Sequence, residues 1–442
     1  MTLLDTLVSR RRRLAAAFPR PVVLWSGQPV ARNFPANTYY FRANSHFLYL
    51  VGRSLPQAAI YLDGEHLTLF MEDPPAAAAL WHGAEPQRQQ IAAEIGAIAA
   101  YPLADLSPYL VEAATLPLQD WPSRLPAHDP AWCQRLALAL VETRLYHDSL
   151  ALTEMQAATT VSMEAHRAGM AATLAAKTEA QIRAAMEAVI MAHNMSCAYN
   201  SIVTIHGEVL HNPHYHHALT SGDLLLADVG AESGAGWAAD ITRTWPVSGR
   251  FSGPQADLYA VVLAAHDTCI EAAKPGVEYR HLHQLACHQL ASGLVDLGIL
   301  KGAADDLVER NVHALFFPHG VGHLLGLDVH DMEDLGDLAG YAPGRRRSDR
   351  FGLCFLRLDR PLAEAMAVTI EPGFYQVPAL LEPARQSGQY DDVINWDRLV
   401  DFRSVRGIRI EDDVLITAQG NQVLTADLPT AIPAIEALVQ GH

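Results

Sequence analysis

The chain has 442 residues, of which 50% are hydrophobic and 18% are charged, and it carries a formal net charge of −17. This length exceeds one ordinary hydrophobic core and predicts two domains, while the composition is that of a folded globular protein. The acidic balance argues against a nucleic-acid or anionic-membrane surface, and no apolar run in the sequence reaches the length of a bilayer span.

The cysteines and the N-terminus indicate the cellular compartment. Five cysteines are widely spaced and form no CxxC pair, a pattern typical of reduced thiols rather than disulfides or a zinc knuckle. A basic run, Arg10 to Arg13, is followed by no long apolar segment and no small-residue cleavage site, so no secretory signal is expected. These features predict a cytoplasmic protein.

Residues 1–148 are predicted to form a mixed α/β domain. A helix is expected over residues 3–18, and the dipeptide Asp63-Gly64 is a hairpin signal between two apolar runs. The aromatic residues within 39–50 are expected to be core, and a proline-rich loop is expected over 122–130. A short apolar run occupies residues 22–25, and strands are predicted at residues 58–62 and 67–71.

Residues 149–442 are predicted to form the second domain. Helical spacing of apolar residues between 148 and 194 predicts two long helices, broken near 175–178, with Thr178 as the cap of the second. Two further helices are expected over 255–273 and 281–297. Short strands are predicted at residues 201–205, 224–229 and 236–246.

Four acidic residues interrupt apolar, strand-like runs of this second domain. Asp228 and Asp240 flank a glycine-rich tip, so we expect a hairpin that carries both side chains on one face. Two facing aspartates in apolar surroundings repel each other unless a cation lies between them; the alternative is that one of them faces solvent. Glu371 and Glu411 interrupt apolar runs further along the chain.

A histidine-rich and glycine-rich segment lies between these two pairs of acids. His319, His323 and His330 fall within twelve residues, and neutral imidazole is the commonest metal ligand at this pH. Four carboxylates and one imidazole suit a pair of divalent ions and favour manganese, with zinc or cobalt as alternatives. Such ions lower the pKa of water and stabilise the oxyanion that forms when water attacks a carbonyl.

The set Asp228, Asp240, His323, Glu371 and Glu411 resembles the dinuclear site of the pita-bread metallopeptidases. The strings around Asp240, His323, Glu371 and Glu411 are similar to those of the aminopeptidase P and prolidase branch, and residues 39–52 resemble its N-terminal domain. One departure is that the interval from Asp228 to Asp240 is one residue longer than this branch usually shows. We place the extra residue at the hairpin tip, where insertions are tolerated.

The resemblance implies the fold, the substrate and the assembly. It implies an N-terminal, ribonuclease H-like α/β domain over 1–148 with a six-stranded mixed sheet, and a catalytic pita-bread domain over 149–442. It also implies two divalent ions per chain and a small peptide substrate with proline at its second position. The expected oligomer is a homodimer, with a homotetramer as the alternative.

The resemblance also implies a role for each site residue. Asp228 binds one metal, Asp240 and Glu411 bridge both, and His323 and Glu371 complete the second. Glu371 carries the proton from the attacking water to the leaving nitrogen. The remaining implied contacts are the substrate-side histidines His211 and His330, and the residues of the proline pocket or its support, His319, Tyr375 and Arg409. The histidines with no implied role are expected to be exposed in a loop: His206, His214, His216 and His217.

The intervals after the histidine segment bear on the choice between two peptidases. They are 48 residues from His323 to Glu371 and 40 residues from Glu371 to Glu411, long as in prolidases. Arg357 stands where prolidases carry an arginine for the substrate carboxylate, although a surface arginine is the alternative. We predict an Xaa-Pro dipeptidase. The alternatives are an Xaa-Pro aminopeptidase that acts on longer peptides and a non-catalytic binding module on the same fold.

Overall fold

The computed structural model describes residues 2–75, 77–116 and 129–442. The chain divides into two compact units, Met1–Leu150 and Ala151–His442. The loop predicted over 122–130 falls mostly on residues outside those described. Among the described residues, no helix combines the length and the apolar character needed to cross a membrane.

The first unit contains five α-helices and seven strands among its described residues. The helices are α1 Leu3–Ala17, α2 Ser45–Val51, α3 Ala78–His82, α4 Arg88–Ile95 and α5 Pro130–Arg144. The strands are β1 Val22–Trp25, β2 Ala31–Phe34, β3 Asn37–Thr38, β4 Ala59–Asp63, β5 His66–Phe70, β6 Ala99–Tyr101 and β7 Ala114–Thr115.

The N-terminal sheet is mixed and has the strand order β6-β5-β4-β1-β7. The described residues thus contribute five strands where six were implied, because β2 and β3 pair only with each other in a separate ribbon. The predicted helix over 3–18 and the hairpin at Asp63-Gly64 are confirmed. The prediction of core aromatics holds for Phe47 and Tyr49, but it is wrong for Tyr39 and Tyr40, which precede α2 and are exposed.

The second unit contains the remaining helices and strands. The helices are α6 Ser149–Ala172, α7 Glu179–Ala192, α8 Gly253–Ala272, α9 Tyr279–Asp296, α10 Ala304–Glu309, α11 Asp337–Gly340, α12 Pro378–Ser387, α13 Trp396–Val400 and α14 Ile432–Gln440. The strands are β8 Ser196–Cys197, β9 Ile202–Thr204, β10 Leu224–Asp228, β11 Ala231–Glu232, β12 Thr242–Pro246, β13 Ala367–Ile370, β14 Gly373–Tyr375, β15 Gly407–Arg409, β16 Asp412–Thr417 and β17 Gly420–Val423.

The four long helices of this unit lie within two residues of their predicted ends. Apolar residues of α6, α7 and α14 pack with β9, β10 and β12 into one core, in which Trp245 is fully buried and donates from Nε1 to Thr173 Oγ1 over 2.8 Å. Thr178 occupies the N-cap of α7 with an extended backbone, as predicted, but its side chain makes no capping hydrogen bond.

The described strands of the second unit form short, separate sheets. Their strand orders are β12-β10-β9, β13-β16-β17, β14-β15 and β11-β8. The backbone of Glu411 donates to the carbonyl of Thr242 over 3.0 Å, which links the β12 edge to the turn between β15 and β16. Because this link is a backbone bridge, it fixes the positions of the two segments that carry acidic side chains.

The predicted hairpin between Asp228 and Asp240 is present. Asp228 lies opposite Thr242 in the β10–β12 pairing, and backbone hydrogen bonds of 2.8–3.0 Å continue the same register to Ser233 and Trp237. The tip is therefore formed by residues 234–236, and the longer interval is accommodated there. Asp240 lies two residues before Thr242 and shares its face, so both aspartates lie on one side of the hairpin.

Glycine at position 230 is required by the close approach of the two hairpin strands. A Cβ atom there would lie 1.8 Å from the carbonyl oxygen of Ala239. We expect Gly230→Ala to lower the free energy of unfolding by about 1–3 kcal/mol or more, the cost of overpacking. Urea or thermal unfolding measures this change.

The matched control for this substitution lies in the same hairpin. Gly234 has no heavy atom within 4 Å of an added Cβ. Gly234→Ala should change the free energy of unfolding by less than about 0.5 kcal/mol. Equal stability of the two variants would contradict the hairpin packing described above.

Candidate metal centre

The segment that carries His323 is held by the strand β13. His323 accepts a backbone hydrogen bond from Thr369 over 3.0 Å, and its own N–H donates to Thr369 Oγ1 over 3.1 Å. Its preceding residue, Gly322, leaves no room for a side chain, since a Cβ would lie 2.3 Å from the Thr369 carbonyl oxygen. Glycine thus permits the close approach that places the imidazole.

The orientation of the His323 ring leaves a lone pair facing acidic oxygens. Nδ1 lies 3.0 Å from the carbonyl oxygen of Leu324 and donates to it, which assigns the Nε2 lone pair as free. Nε2 lies 3.4 Å from Asp240 Oδ2 and 3.6 Å from Glu371 Oε1. A lone pair facing carboxylate oxygens without a proton between them is an arrangement that a cation stabilises.

Each of three carboxylates has one oxygen held by a donor from the protein. Tyr199 Oη donates to Asp240 Oδ1 over 2.6 Å, and Thr242 Oγ1 donates to Glu411 Oε2 over 2.7 Å. Arg409 donates to Asp228 Oδ2 over 2.6 Å, while Oδ1 of the same carboxylate is buried without a partner among the described residues. Asp240, His323 and Glu411 each offer one ligand atom, and these atoms lie within 4.8 Å of one another.

Burial makes the negative charge of this cluster unfavourable. It raises the pKa of Glu411 well above its usual range, with the charges of Asp240 and Glu371 adding to the effect. It likewise raises the pKa of Asp240, where the charge of Asp228 contributes, and the pKa of Glu371. Divalent ions would remove this penalty, so the donor set and the buried oxygen of Asp228 fit bound metal.

A chain of hydrogen bonds links His319, Tyr375 and Arg409. His319 Nδ1 donates to the Gly320 carbonyl over 2.8 Å, so its Nε2 accepts from Tyr375 Oη over 2.9 Å. Tyr375 Oη in turn accepts from Arg409 Nη1 over 3.0 Å. Burial and the charge of Arg409 lower the pKa of His319 to about 3, and burial raises the pKa of Tyr375 to about 12. Both groups are therefore neutral at pH 7.

His330 lies beside the His323 imidazole and is linked through Glu333 to Arg357. The ring of His330 lies 4.2 Å from that of His323, and its Nδ1 lies 3.3 Å from Glu333 Oε2. Arg357 Nη1 donates to the same Glu333 oxygen over 2.6 Å. Burial alone would raise the pKa of Glu333, but the hydrogen bond from His330 and the charges of His330 and Arg357 lower it to about 2.

One cavity of about 280 Å³ brings the predicted site residues together. Tyr375 does not line it but lies behind His319 and Arg409. The predicted residues that line it are His211, Asp228, Asp240, His319, His323, His330, Arg357, Glu371, Arg409 and Glu411.

The histidines without an assigned role differ from the prediction. His214 and His216 are exposed as expected. His206 and His217 are only half-exposed, because each lies beside a glutamate: His217 Nδ1 is 2.8 Å from Glu179 and His206 Nδ1 is 3.3 Å from Glu208. The prediction of exposed loop residues is therefore wrong for these two.

Three residues in contact with the cluster were missed by the sequence analysis. They are Tyr199, Thr242 and Glu333, which bind Asp240, Glu411 and Arg357 respectively. Thr242 could have been found from its spacing, since it follows Asp240 by two residues and so shares its face of the strand. Glu333 could have been considered because it follows His330 by three residues, whereas Tyr199 carries no comparable local signal.

Two family profiles match the chain. The profile of "Metallopeptidase family M24" matches residues 153–418. The profile of "Aminopeptidase P, N-terminal domain" matches residues 7–117. The two matches fall in the second and the first structural unit respectively.

Individual proteins are similar over nearly their whole length. The Xaa-Pro dipeptidase of Homo sapiens is 30% identical, over 95% of this chain and 88% of the human protein. The Xaa-Pro aminopeptidase of Haemophilus influenzae is also 30% identical, over 97% of this chain and 96% of its own. Zinc-substituted aminopeptidase P of E. coli, solved in complex with product, superposes with a TM-score of 0.81 at 26% identity, covering 99% and 98% of the two chains.

Replacing Asp240 by asparagine tests the ligand set. The change keeps the shape of the side chain but removes a charge that lies next to His323 and Glu411. We expect Asp240→Asn to bind at least one divalent ion fewer per chain than the wild type after reconstitution with manganese, measured by elemental analysis of the dialysed protein. Circular dichroism should show an intact fold.

The matched control is Asp257→Asn, which changes an exposed aspartate of α8. This variant should keep the metal content of the wild type. An Asp240→Asn protein with unchanged metal content would remove Asp240 from the ligand set.

Proposed function

Because the chain belongs to metallopeptidase family M24, we propose that it hydrolyses Xaa-Pro bonds of small peptides, with Xaa-Pro dipeptides as its preferred substrates. The curated relatives named above include both an Xaa-Pro dipeptidase and an Xaa-Pro aminopeptidase. The observation that carries the proposal is the position of Arg357 in the wall of the cavity that also contains the proposed metal ligands.

We infer that two divalent ions, most simply manganese, bind to Asp228, Asp240, His323, Glu371 and Glu411. Four carboxylates and one imidazole are a donor set that suits such ions. When bound, they would lower the pKa of water and polarise the scissile carbonyl. The raised pKa values of Asp240, Glu371 and Glu411 support this inference, because a dication offsets the cost of burying their charge.

The proton of the attacking water goes to a carboxylate in this proposal. Glu371 lies in the cavity wall, where its Oε1 is 3.6 Å from His323 Nε2. A carboxylate at this position can accept a proton from the attacking water and then release it to the leaving nitrogen. The tertiary amide nitrogen of an Xaa-Pro bond needs this proton, since it leaves as a secondary amine.

The histidines of the cavity orient the substrate. Partial desolvation lowers the pKa of His211 and of His330, and both rings line the cavity. Glu333 accepts the Nδ1 proton of His330, which leaves Nε2 available to a substrate group. His319 contributes a neutral face to the proline side, while Tyr375 and Arg409 support His319 and Asp228 through hydrogen bonds.

Arg357 distinguishes dipeptides from longer peptides in this proposal. A dipeptide presents a free carboxylate immediately after proline, and a guanidinium binds a carboxylate through charge-assisted hydrogen bonds. A longer peptide presents a neutral amide at this position and therefore gains less binding energy from the guanidinium. The long intervals on either side of Glu371 also favour the dipeptidase.

The other candidate functions have less support. Likeness to solved aminopeptidase P keeps the Xaa-Pro aminopeptidase as the second candidate. A non-catalytic binding module is disfavoured because all five proposed ligands are retained and brought together. The homodimer and the cytoplasmic location remain predictions from the sequence.

Removing the Arg357 guanidinium tests the dipeptidase proposal. A hydrogen bond between the guanidinium and the substrate carboxylate would be worth about 1.5–3 kcal/mol, which corresponds to about tenfold to a hundredfold in specificity. We expect Arg357→Ala to lower kcat/KM for Ala-Pro by about that factor and to leave Ala-Pro-Ala nearly unchanged. Steady-state kinetics with manganese, and with a chelator as the blank, measure both values.

The matched control is Arg346→Ala, which removes an exposed arginine of the same insertion that does not line this cavity. It should leave both values as in the wild type. A wild-type enzyme that prefers Ala-Pro-Ala, or an Arg357→Ala enzyme that loses both activities equally, would favour the aminopeptidase.

A further inference from the structure

Glu333 holds two residues of the cavity wall through a single oxygen. Its Oε2 accepts from Arg357 Nη1 over 2.6 Å and lies 3.3 Å from His330 Nδ1. Glu333 itself does not line the cavity, whereas Arg357 and His330 do. It therefore acts on the substrate through these two side chains.

The second oxygen of Glu333 and the rest of the Arg357 guanidinium are unused. Glu333 Oε1 is buried and has no hydrogen-bond partner within the described ranges. The described residues provide no hydrogen bond to Nε or Nη2 of Arg357. Among the described residues, the charge of Arg357 is thus paired with Glu333 through Nη1, while Nε and Nη2 have no acceptor and the residue lines the cavity.

We propose that Glu333 is a specificity-determining counter-ion, which weakens the grip of Arg357 on a substrate carboxylate and so allows peptides that continue beyond proline. This inference rests on the proposed Xaa-Pro peptidase activity. Without a counter-ion, a cavity-lining guanidinium strongly favours a substrate that brings its own carboxylate, because a neutral peptide leaves the charge uncompensated. With Glu333 in place, the arginine is already paired when a neutral chain passes it.

The sign of the effect follows from charge alone. Glu333 carries a negative charge behind Arg357, so it repels an incoming carboxylate and offsets part of the attraction of the guanidinium. Glutamine at this position keeps an oxygen that can accept from Arg357, but it removes the negative charge. Glu333→Gln should therefore bind the dipeptide carboxylate more tightly.

The experiment compares Ala-Pro with its amide, Ala-Pro-NH₂, in the manganese-loaded enzyme. The two substrates differ only in the charge at the C-terminus, so any effect of the substitution on His330 cancels in their ratio. We expect Glu333→Gln to raise the kcat/KM ratio of Ala-Pro to Ala-Pro-NH₂ about fivefold, through a lower KM for Ala-Pro, the scale of a partly exposed charge interaction.

The matched control is Glu278→Gln, which removes the negative charge from a pair with Arg345 of similar exposure that does not line this cavity. The kcat/KM ratio of Ala-Pro to Ala-Pro-NH₂ in this variant should equal that of the wild type. An unchanged or lowered ratio in Glu333→Gln would overturn the counter-ion role.

A second measurement keeps this inference separate from the dipeptidase proposal. If the wild type prefers Ala-Pro-Ala, the dipeptidase proposal fails, but the inhibition constant of L-proline against Ala-Pro-Ala hydrolysis still reports carboxylate binding. Glu333→Gln should lower that constant about fivefold relative to the constant of L-prolinamide. Equal changes for proline and prolinamide would refute the role of Glu333 in either enzyme.

Discussion

Like charges held away from water are the constraint on which the second unit depends. Asp228, Asp240, Glu371 and Glu411 line one cavity, and burial raises the pKa of the last three. In three of these carboxylates the protein supplies a donor to one of the two oxygens, so the fold itself satisfies only part of their hydrogen-bonding capacity. The divalent ions that we propose would satisfy the rest.

Arg409 connects the metal cluster to the cavity wall. Its three donor nitrogens bind three different groups: Nη2 binds Asp228, Nε binds Thr242 Oγ1, and Nη1 binds Tyr375 Oη. Thr242 passes the connection to Glu411. A lysine could not hold these groups in one plane, because its ammonium lacks the rigid fork of a guanidinium. The Arg409 side chain thereby orients Asp228 directly and Glu411 through Thr242.

The sequence predicted the elements whose signal is local. Apolar periodicity located the long helices, and the turn signal Asp63-Gly64 located the hairpin between β4 and β5. The acidic residues were found because a charge inside an apolar strand is conspicuous. Tyr199 was missed because it contacts a residue 41 positions away. Glu333 was missed although it follows His330 by three residues, because its bond to Arg357 spans 24 positions. Exposure of Tyr40 likewise depends on packing that aromatic composition does not encode.

The bond between Thr242 and Glu411 joins positions 169 residues apart in sequence, and this separation has a kinetic consequence. A cation can bridge these segments only after the intervening chain has been closed into a loop, and closure of so long a loop costs entropy before any ligand is in place. The complete donor set that we propose is therefore assembled only in a largely finished fold. A metal that needs the whole set would stabilise the protein through slower unfolding rather than through faster folding.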